Sequence, residues 1–185
     1  MDPIETMLHE HRIIERVIDA LEQLALRAEA GAAIDTDAAR QAVRFFREYA
    51  DRLHHGKEEA CLFEIMQNRG FRIETCNPAE VLTEEHVQGR HKVAAIAGAI
   101  DRMQAGDADA SANFSAAAKD YVRHLRSHIL KEDDILFPMA MRILTPEDLA
   151  TLEEQFRAID RDQIGEAELA RLEELADYLA MRAGP

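Results

Sequence analysis

Two copies of one string carry the chemistry of this chain: His54-x-x-Lys57-Glu58-x-x-x-Leu62-Phe63 and His128-x-x-Lys131-Glu132-x-x-x-Leu136-Phe137. Each sets a histidine and a glutamate four residues apart and follows them with an apolar anchor. On an α-helix four residues leave a net rotation of roughly 40°, so imidazole and carboxylate share one face. Borderline metals accept these two ligand types together. A single His-x-x-x-Glu is a weak signal, because helix surfaces pair these residues by chance. Two in one register are a strong one, and two such helices facing each other can grip a pair of metal ions.

The repeat extends upstream. His11, preceded by Glu10, lies 43 residues before His54; His86, preceded by Glu85, lies 42 before His128. The chain therefore reads as a duplicated unit, in which a helix with one histidine is followed by a helix with His-x-x-x-Glu. Helical phase, at about 100° per residue, sorts the histidines. Ala50, Glu58, Cys61 and Ile65 fall near the His54 direction, while His55 and Glu59 fall on a polar strip with Asp51 and Arg52. The repeat agrees, since Ile129 stands in the place of His55. His54 and Glu58 are thus the expected ligands, with His55 and Glu59 as their flank. Tyr121, His128, Glu132 and Ile135 share the face of a later helix, with His124 one turn before His128. His11 sides with Ile4, Met7 and Ile18, and His86 with Leu82, Val93 and Ile100, while His9 and His91 are turned to solvent.

The expected inward set is His11, His54, Glu58, His86, His128 and Glu132. Arg90, Tyr121 and His124 are neighbours that can support the site or add a ligand, and Cys61 reads as a small buried apolar residue. Four imidazoles and two carboxylates are too costly to bury without compensation. A metal centre satisfies them together, and nitrogen and oxygen donors without thiolate suit iron, manganese or zinc. The duplication argues for two ions. Six side chains cannot saturate two six-coordinate ions, so open positions should remain for dioxygen, peroxide or nitric oxide.

The elements that must hold these residues are helices. The 185 residues suit one domain with an appendage, and 47% are hydrophobic. Alanine, leucine, glutamate and arginine are plentiful, glycine and proline few, which favours an all-α fold. Asp2-Pro3 starts a helix that runs to about Ala30. A second runs from about Asp37 to Arg69, stopped by Gly70, and Phe71 to Asn77 reads as a loop. Asn77-Pro78 starts a third, a fourth follows Gly106 and runs to about Leu144, and two shorter helices start at Thr145-Pro146 and Glu166. Four long helices with short connections predict an antiparallel up-down four-helix bundle over 1–144, with additional C-terminal helices over 145–185 packed on it. Cofactor sites in such bundles lie in the core between facing helices. The stretch Asp160–Gly165 resembles a calcium loop only briefly, because Ile164 and Arg171 occupy positions that need oxygen ligands, and it reads as a turn.

The net charge of -14 repels phosphate backbones and argues against nucleic acid as a partner. No run approaches 18 apolar residues, which argues against a membrane span, and the N-terminus lacks the regions of a signal peptide, so a cytoplasmic location is expected. Cys61 and Cys76 form no CxxC pair and imply no disulfide framework.

The lines Glu10-His11, His54-His55-Gly-Lys-Glu58-Glu59-Ala-Cys-Leu-Phe63, Glu85-His86-Val-Gln-Gly-Arg90 and His128-Ile-Leu-Lys-Glu132-Asp-Asp-Ile-Leu-Phe-Pro138 together resemble the hemerythrin-like, or HHE cation-binding, family. The resemblance covers roughly Ile4 to Leu144. It implies a four-helix bundle with a non-haem di-iron centre, oxo- or hydroxo-bridged, in which Glu58 and Glu132 bridge the irons, with zinc or manganese as alternatives. Two departures set the chain apart from the oxygen-carrying hemerythrins. Arg90 stands where those have a second histidine, and Glu132 replaces a more distant aspartate. The ligand set is closer to hemerythrin-like proteins of iron-sulfur repair, nitrosative stress or peroxide handling. The resemblance therefore implies binding or sensing of dioxygen, nitric oxide or peroxide. Iron storage or donation and a peroxidase- or catalase-like activity are the alternatives. The helices after Pro146 offer either a cap on the bundle or a homodimer surface.

Overall fold

The computed structural model describes residues 2–70 and 77–183. The loop expected over 71–77 lies almost wholly outside the described residues, as does Cys76. Every element among the described residues is helical. Helix α1 spans Pro3–Glu29, α2 residues 36–68, α3 Pro78–Gln104, α4 residues 110–143, α5 residues 146–164 and α6 Glu166–Ala183.

The capping residues read from the sequence do the expected work. The Asp2 carboxylate accepts from the Ile4 N–H at 2.8 Å and Asn77 from Ala79 at 3.2 Å, while Asp35, a cap not singled out from the sequence, accepts from the Ala38 N–H at 3.0 Å. Each satisfies a backbone donor that has no partner in the first turn. Thr145 and Asp148 form a reciprocal capping box at the start of α5. Gly70 ends α2 at φ +77°, a conformation that a side chain would strain.

Two of the long helices are not uniform. Over Phe46–His55 and Glu58–Leu62 in α2, and over Glu132–Leu136 in α4, the turns widen to the π-helical form. A wide turn holds more residues, so each advances by less than the α-helical 100° or so. Side-chain directions computed from a straight α-helix fail there. Ile135, expected on the inner face, is 51% exposed, and Leu136 is the residue that turns inward.

α1 packs on α4 and α6, and α3 packs on α4 and α2. One apolar cluster runs through all of them. It joins Ile14, Val17 and Leu21 of α1 to Phe45 and Tyr49 of α2, Ile96 and Ile100 of α3, and Phe114 and Val122 of α4. Leu152, Phe156, Leu172, Ala176 and Leu179 of α5 and α6 belong to the same cluster. Full burial of such a side chain stabilises by about 1.5–3 kcal/mol, which holds the helices against the polar residues at their centre. No described helix is long and apolar enough to cross a membrane.

Candidate metal centre

The histidine and glutamate side chains of the doubled string meet in the core. His55, Glu58, His86 and His128 each bring one ligand atom within 4.8 Å of the others, and His11, His54 and Glu132 do the same. All seven residues are buried. The two carboxylates lie between the histidine groups. Glu58 turns Oε2 to His86 Nε2 at 3.4 Å and Oε1 to His54 Nε2 at 4.0 Å. Glu132 turns Oε1 to His128 Nε2 at 3.0 Å and Oε2 to His11 Nε2 at 3.2 Å.

The outer faces of the His11, His54, His86 and His128 rings are each held by a carboxylate from another helix, whereas His55 Nδ1 is buried without a hydrogen-bond partner, 3.5 Å from Asp51 of its own helix. His11 Nδ1 lies 2.6 Å from Asp133, His54 Nδ1 2.9 Å from Glu10, His86 Nδ1 2.7 Å from Glu59 and His128 Nδ1 3.0 Å from Glu85. An ionised carboxylate can only accept, so each Nδ1 donates and each Nε2 faces the centre. These four contacts join α1 to α4, α1 to α2, α2 to α3 and α3 to α4, which closes a ring. Each carboxylate is in turn paired with a cation. Arg12 contacts Asp133, Lys57 contacts Glu10 at 2.5 Å, Arg90 contacts Glu59 at 2.8 Å and Lys131 contacts Glu85. The phenylalanines of the string stack on histidines across the core, Phe137 on His11 and Phe63 on His86.

Every part of the string thereby acquires a role. Its histidine and glutamate face the centre, its lysine braces the carboxylate behind that histidine, and the acid after its glutamate holds a ring on another helix. This is the arrangement that orients imidazoles for metal binding and raises their basicity.

The inner atoms fit a cation better than they fit one another. His11 Nε2, His54 Nε2 and all four oxygens of Glu58 and Glu132 are buried without a hydrogen-bond partner. Orphaned atoms of this kind are rare in a folded chain, and a bound ion satisfies them all. Protons stand in for the cation in the metal-free chain. Burial opposes charge on His86, but Glu132, Glu58 and Glu59 overcome it and push its pKa up to about 11. Burial likewise opposes charge on His11, where Asp133 and Glu132 prevail and raise it to about 9. Burial opposes the charge of Glu132 as well, yet His128, His11 and His86 hold its carboxyl well below the usual range. His55 goes the other way: burial, then the neighbouring His86 and His128, push it far down, leaving a neutral imidazole.

His55 is the residue that sequence reasoning placed wrongly. It was expected on the polar flank, yet it is 6% exposed and stacks on His86 at 3.8 Å between ring centroids. Over the wide turns of Phe46–His55 the helical phase slips relative to a straight α-helix, which rotates the His54–His55 pair so that both rings reach the interior. No residue signal in the string marks that widening. Glu59 does lie at the edge, as expected, although as the support of His86. Glu10, Glu85, Lys57 and Lys131 were visible in the repeat, but their roles were not.

The three neighbours named from the sequence lie beside the groups rather than among them. Arg90 is held by Asp51 at 2.7 Å and by Glu59, so its guanidinium braces a support. His124 Nε2 donates to the Glu85 carbonyl at 2.9 Å. Tyr121 is buried edge-on against Phe46. Tyr121, His124 and Arg90 line a cavity of about 170 Å³ with Gly89, whose other walls include His55, His86 and His128. The cavity thus reaches one histidine group directly. His11, His54 and Glu132 are not among its lining residues.

Comparison with known proteins agrees with this donor set. Uncharacterised proteins of Mycobacterium bovis and of Mycobacterium tuberculosis strain H37Rv are each 21% identical over 163 residues, covering 88% of this chain. The chain spans 63% of the length of these curated relatives. No solved structure matches it. The family described as Hemerythrin HHE cation binding domain matches residues 2–140, which include every residue of both ligand groups and their supports, and the chain belongs to that family.

Proposed function

We propose that this chain is a non-haem di-iron protein that binds or senses dioxygen, nitric oxide or peroxide. In this reading His11 and His54 serve one ion, His55, His86 and His128 serve the other, and Glu58 and Glu132 span both. The observation that carries it is the placement of each carboxylate, with one oxygen turned to each histidine group. The ring of contacts among α1 to α4 supports the antiparallel up-down bundle that such a centre needs. The shared core supports α5 and α6 as an extension packed on that bundle.

Iron held there would supply redox chemistry and open coordination positions. The chain's own residues do the rest. Glu10, Glu59, Glu85 and Asp133 keep the imidazoles turned inward, Phe63 and Phe137 exclude water from two of them, and the cavity beside His55 admits a small molecule. Arg90 is committed to Asp51 and Glu59, which weakens the peroxidase reading that would need it free for a bound anion.

Metal analysis with Mössbauer spectroscopy on anaerobically purified protein tests the centre. Two irons per chain are expected, and one zinc per chain or no metal would overturn the reading. Adding dioxygen or nitric oxide to the ferrous protein should raise a new charge-transfer band; an unchanged spectrum with both gases, and with peroxide, would remove the ligand assignment.

A further inference from the structure

The two halves of the repeat differ in what stands behind their lysines. Lys131 pairs with Glu85 and stays 37% exposed. Lys57, its counterpart, is 1% exposed and lies between two carboxylates, Glu10 at 2.5 Å and Asp160 at 2.6 Å. Its ammonium also sits 5.5 Å from the centre of the Phe156 ring. Asp160 and Phe156 both come from α5, outside the duplicated unit and outside the part of the chain that the family match covers. A fully buried ammonium is costly unless its partners hold it tightly. Glu10 alone serves Lys57 and His54 at once, so Asp160 supplies the second counter-charge that keeps the lysine in place.

We propose that Asp160 is a positioning residue for one metal position only, acting through Lys57, Glu10 and His54 on the ion held by His11, His54 and Glu132. This rests on the two-ion reading above. The C-terminal helices then do more than cover the bundle: they make two pseudo-equivalent ion positions unequal. The position beside His55 has the cavity and an open lysine, and the other has a closed, doubly braced one. No comparable carboxylate beyond Glu85 is paired with Lys131 among the described contacts.

The test is an anaerobic titration of the metal-free full chain with Fe(II), and with Co(II) for its visible spectrum. Anomalous diffraction assigns each step to its position. Wild type should take up two ions in separable steps. Asp160→Ala should weaken the ion at His11, His54 and Glu132 by about ten-fold, the lower end of the range for groups that orient ligands. The ion beside His55 should bind as before, and Asp160→Glu should restore the lost affinity. Asp160→Asn keeps the size and loses the charge, and serves if the alanine variant folds poorly. A merely structural role for Asp160 would lower the melting temperature of the metal-free chain and leave the two affinities unchanged, or weaken both alike; either result overturns the proposal while two ions in wild type keep the di-metal reading. Uptake of fewer than two ions by wild type overturns both.

Discussion

His11, His54, His86 and His128 are each one member of a series that runs inward from the surface. A cation holds a carboxylate, the carboxylate holds Nδ1, and Nε2 faces the centre. The series explains why substitutions at its different levels should separate. Glu58→Ala or Glu132→Ala removes a group turned toward both histidine sets, so fewer than two irons per chain should remain by metal analysis. Glu59→Ala leaves the inner groups intact and frees the His86 ring, which should weaken metal binding by roughly 10- to 100-fold in a competition titration. His55→Ile copies the residue that the repeat has at 129. It should fold, and weaken only the ion served by His86 and His128. His9→Ala, at an exposed position on α1, should leave metal content unchanged. Gly89 gives a different handle. A methyl group there would meet His124 Nε2 at 3.6 Å, an ordinary contact, so Gly89→Ala is tolerated. Gly89→Leu fills the cavity, and stopped-flow mixing with nitric oxide should show slower binding at unchanged iron content.

The helices place these residues by two devices, and only one was legible in the sequence. Caps and stops were: Asp2, Asn77, Thr145 with Asp148, and Gly70 all mark ends where the sequence predicts them. Thr145→Ala should cost about 1 kcal/mol, read as a lower denaturant midpoint at unchanged slope. The wide turns were not legible, because a π-helical stretch is set by how the helix packs and not by its own residue preferences. That is why phase placed His55 on the flank and Ile135 on the inner face. Arg69 at the end of α2 pairs with Asp148 at 2.7 Å, and with the Thr145 cap it holds that carboxyl down at about 2. Its folded value lies below the ordinary 3.8, so the contribution is present above that pH and is lost as the pH falls through about 2. In Arg69→Ala the Asp148 carboxyl should titrate closer to its ordinary value by NMR.

Taken as a whole, the molecule buries a charged cluster that its apolar core must hold together when no cation is bound. Metal binding is therefore coupled to folding. Metal at a thousand times its dissociation constant should stabilise the chain by about 4 kcal/mol, read as a rise in melting temperature that a chelator reverses. Glu132→Ala should lose that rise. The last two helices share the core of the first four through Leu152, Phe156 and Leu172, so their influence on the centre runs through packing as well as through Asp160.

The sequence by itself determined the donor types, their duplication, the all-helical class and most helix ends. These follow from residue identity and local spacing, which need no knowledge of the neighbouring helix. Only the tertiary structure decided that His55 faces inward with His54, that Arg90 braces Glu59 rather than facing a ligand, and that Lys57 is closed over by Asp160. Those are contacts between segments 31 to more than 100 residues apart, and helix widening, burial and counter-charge act across such distances only once the helices have packed.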